Sequence, residues 1–332
     1  MSNKHSPPNG WIILDKPRGL GSTQAVAAVK RNLRTGGFAK TKVGHGGTLD
    51  PEAEGVLPIA LGEATKLAGR MLDASKIYEF TLQFGEETDT LDAAGEVVER
   101  SDRRPPMAAI PAVLEHFTGV IEQVPPAYSA LKIDGKRAYD RARAGEIVEM
   151  KTRAVTIHSL GLAGERDDPE LRSSFQTTSG RPDPYDPSAP LELADAVTLT
   201  AHVSKGTYIR SLARDIARAL GTVGHVTYLR RTKAGPFHQE QAISLDKLDE
   251  IGKGAPLQDL LLPLEAGLDD IPALQLDPES AQAVRQGRVL SGMPQTDGLY
   301  CAKLESVPVA LVVLSGGTAK VVRGFNLRDV AE

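Results

Sequence analysis

The chain has 332 residues, a net charge of −4, 41% hydrophobic and 25% charged residues, and one cysteine, Cys301. This composition is typical of a folded protein with room for two domains and excludes a disordered chain. A single cysteine excludes an intramolecular disulfide and a cysteine-based zinc site, and no apolar run could span a bilayer, so we predict a cytoplasmic protein without a membrane segment.

The N-terminal part of the chain alternates short apolar runs with glycine and proline. Residues 11–14 predict an edge strand, and Ser22 is a suitable N-cap for the helix that follows. Residues 56–61 are apolar and predict a buried segment, and residues 64–72 predict a short helix.

The stretch 43–58 combines a glycine-rich loop with the dipeptide Asp50-Pro51. Glycine permits positive φ or close approach, and the proline moves Asp50 out of the α region. A carboxylate presented from such a turn is a candidate nucleophile or general base, and an ordinary turn is the alternative. No Gly-Lys-Ser/Thr follows, and a G-x-G-x-x-G pattern fails at Leu49, which excludes both phosphate-binding loops.

Alternation predicts a strand at residues 76–84, although packing alone would favour its Tyr and Phe. An acidic turn at 85–95 and a second strand follow, and residues 105–118 predict a helix. Residues 164–190 are rich in Pro, Ser, Asp and Glu and predict a mobile surface loop.

Positive charge is concentrated in two segments. Residues 128–153 contain seven Lys/Arg against four Asp/Glu, and residues 202–235 contain seven against one. Basic side chains interleaved with tyrosines can bind a phosphate backbone and stack on bases, while a solvated basic face is the alternative.

The second basic segment joins a predicted strand at 191–203 to a helix with Arg210, Arg214 and Arg218 at four-residue spacing. That spacing also fits a solvated face, but Arg210 lies at the strand-to-helix junction, which suits pairing with a carboxylate or phosphate. Three further strands are predicted at 299–304, 307–314 and 319–322.

Four segments between residues 10 and 240 resemble, in order, the motifs of the TruB family of tRNA pseudouridine synthases. They are the stretch 43–58, the Lys-x-Tyr strand at 76–78 with its acidic turn, Ser-Lys-Gly-Thr-Tyr-Ile-Arg at 204–210, and Tyr-Leu-Arg-Arg-Thr at 228–232. The chain departs from the family pattern at Gly46, where a small hydroxyl residue is usual.

The resemblance implies the roles of individual residues. Asp50 would be catalytic, Tyr78 would stack on the target base, and His45 would fill the gap that the flipped base leaves. Tyr208 would lie against the uridine, Leu229 would form an apolar wall, and Arg210 would pair with Asp50. An inserted segment at about 125–153 would bind the T-arm, and the predicted RNA-backbone contacts are Lys132, Lys136, Arg137, Arg141, Arg143, Arg230 and Arg231.

The fold that the resemblance implies is α+β. A catalytic domain at 10–250 would surround a large mixed, mostly antiparallel sheet, and residues 257–332 would form a small PUA-like β-barrel. The implied enzyme isomerises uridine 55 in the T-loop of tRNA with no cofactor and no metal. Its partner would be tRNA alone, with no protein partner and a monomeric state.

Two other functions and two mechanisms stay open at this point. The protein could act chiefly as a tRNA-binding folding factor, because binding and catalysis would use the same surface. A carboxylate-dependent glycosidase would need two acids, and one motif-borne aspartate is present. Asp50 could attack a carbon of the ribose or base, or it could abstract a proton.

Overall fold

The computed structural model describes residues 5–129, 131–133, 135–144, 146, 150–164 and 191–327. The chain divides into two compact units. The first contains residues 1–51, 55–73 and 233–332, and the second contains residues 52–54 and 74–232. No helix in the described ranges is long and apolar enough to cross a membrane.

The described residues form strands, often several in succession, and shorter runs of helix. The strands are β1 (Gly10–Lys16), β2 (Val43–His45), β3 (Glu54–Leu61), β4 (Lys76–Phe84), β5 (Glu86–Thr88), β6 (Val97–Arg100), β7 (Gly119–Gln123), β8 (Lys132–Ile133), β9 (Lys136–Arg137), β10 (Arg153–Leu162), β11 (Ala196–Val203), β12 (Gly224–Ala234), β13 (Phe237–His238), β14 (Ala273–Leu276), β15 (Leu290–Ser291), β16 (Gly298–Leu304), β17 (Val307–Ser315) and β18 (Thr318–Gly324). The α-helices are α1 (Ser22–Thr35), α2 (Ala68–Asp73), α3 (Ile110–His116), α4 (Ala138–Arg143), α5 (Ile209–Ala219), α6 (Leu245–Gly252) and α7 (Pro278–Arg285). Short 3-10 helices precede α2 at Gly62–Leu67 and α3 at Met107–Ala109.

In the first unit, β3 lies between β1 and β2. It pairs antiparallel with β1 from Gly10↔Leu61 to Lys16↔Gly55, and β2 joins it antiparallel as well. Apolar side chains of β1 and β3 enter a core that includes Trp11, Val56 and Phe237. The predicted strand at 11–14 and the predicted buried segment at 56–61 are therefore confirmed.

The start of α1 differs from the prediction. Gly21 is the extended residue before the helix, and its N–H donates to the Gln24 side chain (2.7 Å). Ser22 is the first helical residue and is buried, so its hydroxyl serves a distant partner, Leu49, and not the helix end. The helix is confirmed, and the prediction of Ser22 as its N-cap is wrong.

The C-terminal part of the first unit is a five-stranded sheet with the order β14-β16-β17-β18-β15. β14 runs parallel to β16, and the other pairs are antiparallel. This confirms the three strands predicted between residues 299 and 322. A PUA-like barrel and a domain boundary near residue 257 stay predictions.

The second unit contains an antiparallel arrangement in the order β4-β11-β10-β7, with β12 on the other side of β4. Alternate side chains such as Phe80, Leu82 and Leu199 pack with Leu212 and Ile216 of α5 in one core. The predicted strand at 76–84 is confirmed, and the strand predicted at 191–203 is shorter, at Ala196–Val203. Strands and packed helices together confirm the α+β class.

Two predicted helices begin with a tighter turn. The segment 64–72 is a 3-10 helix followed by α2, and α3 starts at Ile110 because Pro111 lacks an N–H and suits the first turn. The predicted mobile loop lies almost wholly outside the described residues, which resume at 191.

Candidate active site

The turn that carries Asp50 is held on both sides. On one side, the Ser22 hydroxyl donates to the carbonyl of Leu49 (2.8 Å) and accepts from its N–H (2.9 Å). On the other side, the carbonyl of Pro51 accepts from the N–H of Gly19 (2.8 Å). The half-buried Asp50 therefore lies between two fixed residues, which restricts where its carboxylate can point.

Lys16 adds a charged anchor to this turn. Its side chain is fully buried (0% exposed), and Nζ donates to the carbonyls of Pro17 (3.0 Å), Leu20 (2.6 Å) and Pro51 (3.3 Å). An ammonium has three N–H donors, so these bonds offset the cost of its burial. Sequence reasoning missed Lys16, although a lysine at the end of an apolar strand was a signal.

His45 and Gly46 lie at the start of the same loop. Nδ1 of the half-buried His45 accepts from the N–H of Gly47 at a long 3.4 Å. The N–H of Gly46 donates to the carbonyl of Pro58 (2.8 Å), and a Cβ at position 46 would lie 2.6 Å from Cβ of Met71. The side chain of Met71 on α2 thus occupies the space of the side chain that the family pattern has at this position.

Tyr78 and Leu229 belong to neighbouring strands of the second unit, β4 and β12. Both are half-buried and pack against the same core, and Tyr78 lies opposite Ala201 of β11. The hydroxyl of Thr232 donates weakly to the carbonyl of Ile77 (3.4 Å). The predicted stacking residue and the predicted apolar wall therefore share one packed surface.

Arg210 is the second residue of α5 and is buried (6% exposed). Its Nη1 lies 3.2 Å from Oδ2 of Asp92 and donates to the carbonyl of Thr90 (2.8 Å), and Nη2 donates to the carbonyl of Tyr128 (3.0 Å). This residue is therefore not part of a solvated helix face. Arg210 and Asp50 belong to different units, and their pairing stays a prediction.

Asp92 was missed as a partner of Arg210, although it lies in the acidic turn of the recognised motif. Its Oδ1 accepts from the hydroxyl of Thr90 (2.6 Å) and from the N–H of Ala94 (3.1 Å), while Oδ2 faces the guanidinium. Leu91 beside it has a φ of 61°, which is costly for a residue with a side chain. The turn is thus built around the carboxylate that holds Arg210.

The next two arginines of α5 become progressively more exposed. Arg214 pairs with its neighbour Asp215 (2.8 Å). Arg218 is 52% exposed and donates to both carboxylate oxygens of Glu87 (2.8 and 3.3 Å). Arg210 and Arg218 therefore both connect α5 to the acidic turn and the strand before it.

The inserted segment is connected to the same turn through Tyr128. Burial raises the pKa of the Tyr128 phenol, and its hydrogen bond to the Asp89 carboxylate raises that pKa further. The Tyr139 ring lies edge-on to Tyr128 with centroids 6.0 Å apart, and Arg143 lies 5.4 Å above the Tyr139 ring. This places one predicted RNA contact, Arg143, on an aromatic pair beside the turn.

The other predicted RNA-backbone residues differ in their surroundings. Arg141 pairs with Glu146 (2.6 Å), and Arg230 pairs with Glu54 (3.2 Å). Arg231 is only 1% exposed, and this burial is unfavourable for the predicted phosphate contact. The backbones of Lys132, Lys136 and Arg137 form β8 and β9, while their side chains lie outside the part described.

Tyr208, the last of the predicted substrate contacts, is the extended residue before α5 and is half-buried. Its backbone is held by Gln123 of β7, which is fully buried. The described residues contain no group of three or more His, Cys, Asp or Glu side chains that could hold a metal ion.

Comparison with known proteins gives matches along most of the chain. Residues 34–181 match the model of the TruB family pseudouridylate synthase N-terminal domain, and residues 210–269 match that of the tRNA pseudouridylate synthase B C-terminal domain. The tRNA pseudouridine synthase B of Novosphingobium aromaticivorans is 65% identical over 98% of this chain and 99% of that protein. The tRNA pseudouridine synthase B of Zymomonas mobilis is 55% identical over 96% of each.

A solved structure has the same fold. It is described as an H/ACA RNP bound to a substrate RNA containing 2'-deoxyuridine, and it superposes with a TM-score of 0.67 at 25% identity. The match covers 96% of this chain and 86% of that one.

Proposed function

Because the chain belongs to the TruB family of pseudouridylate synthases and is an enzyme that forms pseudouridine in tRNA, we propose that it isomerises uridine 55 of the T-loop through Asp50. The observation that carries the role of Asp50 is its turn, in which Leu49 and Pro51 are both held by buried partners. A group that attacks a carbon or removes a proton must be held in position, and this turn does so.

The reaction rearranges the uridine and adds no group to it, so the proposal needs a carboxylate and no co-reactant. The C–N glycosidic bond of the uridine breaks, the base turns, and a C–C bond forms to the same sugar. The product has the same atoms as the substrate. The base must leave the stack of the loop before the enzyme can reach it.

Residues of the second unit would receive the flipped base. The half-buried Tyr78 offers an aromatic face on which a base can stack, and Leu229 offers an apolar wall on the same packed core. Tyr208 would contact the uridine, and His45 would occupy the gap in the RNA loop. In this proposal Arg210 pairs with Asp50, while Asp92 fixes the orientation of its guanidinium.

The T-arm would bind along the inserted segment. Arg143 and Tyr139 combine a cation with an aromatic face, which suits contacts to phosphates and bases. The C-terminal sheet would add RNA contacts as a PUA-like domain. We further propose that the enzyme works as a monomer in the cytoplasm.

The test is turnover of a T-arm hairpin that carries tritium on C5 of the target uridine. Formation of the new C–C bond at C5 releases the tritium to water, so the purified protein should release it with nothing else added. A second hairpin with its only tritiated uridine in the stem controls for position. No release from the T-loop uridine, or equal release from both hairpins, would contradict the proposal.

A further inference from the structure

The ring of Tyr208 is covered by an arginine that none of the sequence motifs includes. Arg153 begins β10 and pairs with Gln123 at the end of β7. Its guanidinium carbon lies 4.8 Å from the centroid of the Tyr208 ring, which is the geometry of a cation–π contact.

Gln123 fixes the backbone of the same tyrosine. Its Oε1 accepts from the N–H of Tyr208 (2.7 Å), and its Nε2 donates to the carbonyl of Tyr208 (3.1 Å). Because Gln123 is fully buried, this two-bond contact is rigid. Two neighbouring residues of β7 and β10 therefore hold Tyr208, one by its backbone and the other by its ring.

The guanidinium of Arg153 is incompletely satisfied. Its Nε and Nη2 are buried, and no residue of the described chain accepts a hydrogen bond from either. Buried donors without an acceptor are rare in proteins, because each loses its hydrogen bonds to water. The stack on Tyr208 uses the face of the guanidinium and leaves Nε and Nη2 without an acceptor among the described residues.

The third nitrogen lies beside an exposed loop. A Cβ built on Gly206 would be 3.6 Å from Nη1 of Arg153, and both Lys205 and Gly206 are exposed. Gly206 has a φ of +80°, a conformation that favours glycine. Because glycine has no side chain, residue 206 does not cover this side of the guanidinium. An acceptor could approach Arg153 across Gly206.

We propose that Arg153 positions Tyr208 and receives a phosphate oxygen of the RNA backbone when the substrate binds; this rests on the proposed function. The planar guanidinium stacks through its face, and its N–H edge matches a phosphate. Arg153 would thus bind the RNA backbone and, through its stack on Tyr208, position the tyrosine that contacts the uridine.

The experiment measures binding and turnover of a T-arm hairpin by Arg153→Met, Arg153→Lys and, as a control, Arg100→Met. Arg100 is an exposed arginine of the same unit that pairs with Glu86. The slope of log K against log salt is negative, and Arg153→Met should make it less steep by about 0.7–0.9, the value of one phosphate contact. Arg153→Lys should keep the slope, and Arg100→Met should leave slope and kcat unchanged.

Turnover separates positioning from charge. Both Arg153 variants should lose about tenfold or more in kcat, because a misplaced contact residue costs rate even where charge is kept. In a Tyr208→Leu background, Arg153→Met should cause no further loss of kcat. Losses that multiply would show that Arg153 does not act through Tyr208 and would overturn the positioning role.

An unchanged salt slope in a folded Arg153→Met protein would overturn the phosphate contact. If the Met variant does not fold, Arg153→Lys decides the matter: full kcat with lysine would overturn the proposal, and reduced kcat with a normal slope would support it. The proposed function is tested separately by wild-type turnover, whereas the salt slope needs no turnover.

Discussion

Met71 occupies the space that a side chain on residue 46 would need, with its Cβ 2.6 Å and its Cγ 3.0 Å from the position of a Cβ on Gly46. Met71 is buried in the core of the first unit, so it cannot move aside freely. The glycine at this point of the motif and the methionine of α2 therefore depend on each other.

We expect Gly46→Ala to lower the free energy of unfolding by about 1–3 kcal/mol, the usual effect of overpacking. Gly44→Ala is a matched control, because a Cβ there meets nothing within 4 Å. That change should lie within about 0.5 kcal/mol of wild type. Denaturant unfolding measures both, and equal effects at the two glycines would contradict the packing argument.

Lys16→Met should destabilise the protein and slow the reaction. Removing the ammonium takes the buried donor from the carbonyl of Leu20 and one of two donors from those of Pro17 and Pro51, and an unmade bond of this kind costs about 1–3 kcal/mol. The turn after Asp50 would also lose one of its anchors at Pro51. Lys30→Met, on the exposed side of α1, is the control for loss of a lysine and should change neither property.

The measurements are the unfolding midpoint and kcat on the T-arm hairpin at a temperature where both variants are folded. A Lys16→Met protein with the stability of wild type would show that its three carbonyls find other donors. In that case the anchoring role of Lys16 would be wrong.

Asp50→Asn should abolish isomerisation and leave the fold and RNA affinity nearly intact, because the amide has the size of the carboxylate but neither its charge nor its nucleophilicity. Asp269→Asn, at an exposed position of the same unit, should keep full activity. Residual turnover within tenfold of wild type would contradict the role of Asp50. Full tRNA-refolding activity of the inactive variant would establish a folding function beside the catalytic one.

Cys301 should react with thiol reagents only when the protein opens or the pH is high. Burial raises the pKa of its thiol to about 11. Between about pH 9 and 11 the folded protein keeps a thiol proton that an unfolded chain would lose. The contribution of this thiol to the stability of the folded state is therefore lost as the pH rises through that range. Labelling at pH 8 should be slow in native protein and fast in denaturant. Equal rates would contradict the burial.

Much of the second unit could be predicted because its signals are local. The strand at 76–84 alternates along nine residues, and the helix after residue 208 follows a motif that is continuous in sequence. Such elements need only their own side-chain period to be recognised. The half-buried Tyr78 was found on that basis together with the family resemblance.

The contacts that were missed join residues far apart in the chain. Ser22 looked like a helix cap, but its hydroxyl binds Leu49, 27 residues away. The partner of Arg210 is Asp92, more than 100 residues earlier in the chain. Arg231 was predicted to contact the RNA backbone, and packing around β12 buries its side chain. A local pattern does not report these pairings, because burial and partners are decided by the tertiary arrangement.

The ion pairs of Arg210 and Arg218, which join α5 to the acidic turn and to β5, provide the last prediction, because the two arginines differ in burial. In the pair Arg210–Asp92 both side chains are nearly buried, whereas Arg218 in the pair with Glu87 is half exposed. Breaking a buried pair by removing one charge costs about 3–5 kcal/mol. Water screens the half-exposed Arg218, so its pair with the buried Glu87 should contribute less. Asp92→Asn should therefore destabilise the protein much more than Arg218→Gln does.

Changes in kcat should also be larger for the Arg210–Asp92 pair than for Arg218. Arg210→Lys keeps the charge but loses the planar fork that reaches Asp92, Thr90 and Tyr128 together, and Arg210→Met loses both. We expect kcat to fall in the order wild type, Lys, Met, and Asp92→Asn to lower it as well, since Arg210 would lose its fixed orientation. Arg218→Gln should keep kcat within about twofold of wild type, because Arg218 is half exposed and pairs with Glu87 and not with the carboxylate that orients Arg210. Steady-state kinetics on the T-arm hairpin decide it, and an Asp92→Asn enzyme with full kcat would show that Asp92 does not orient Arg210 for the reaction.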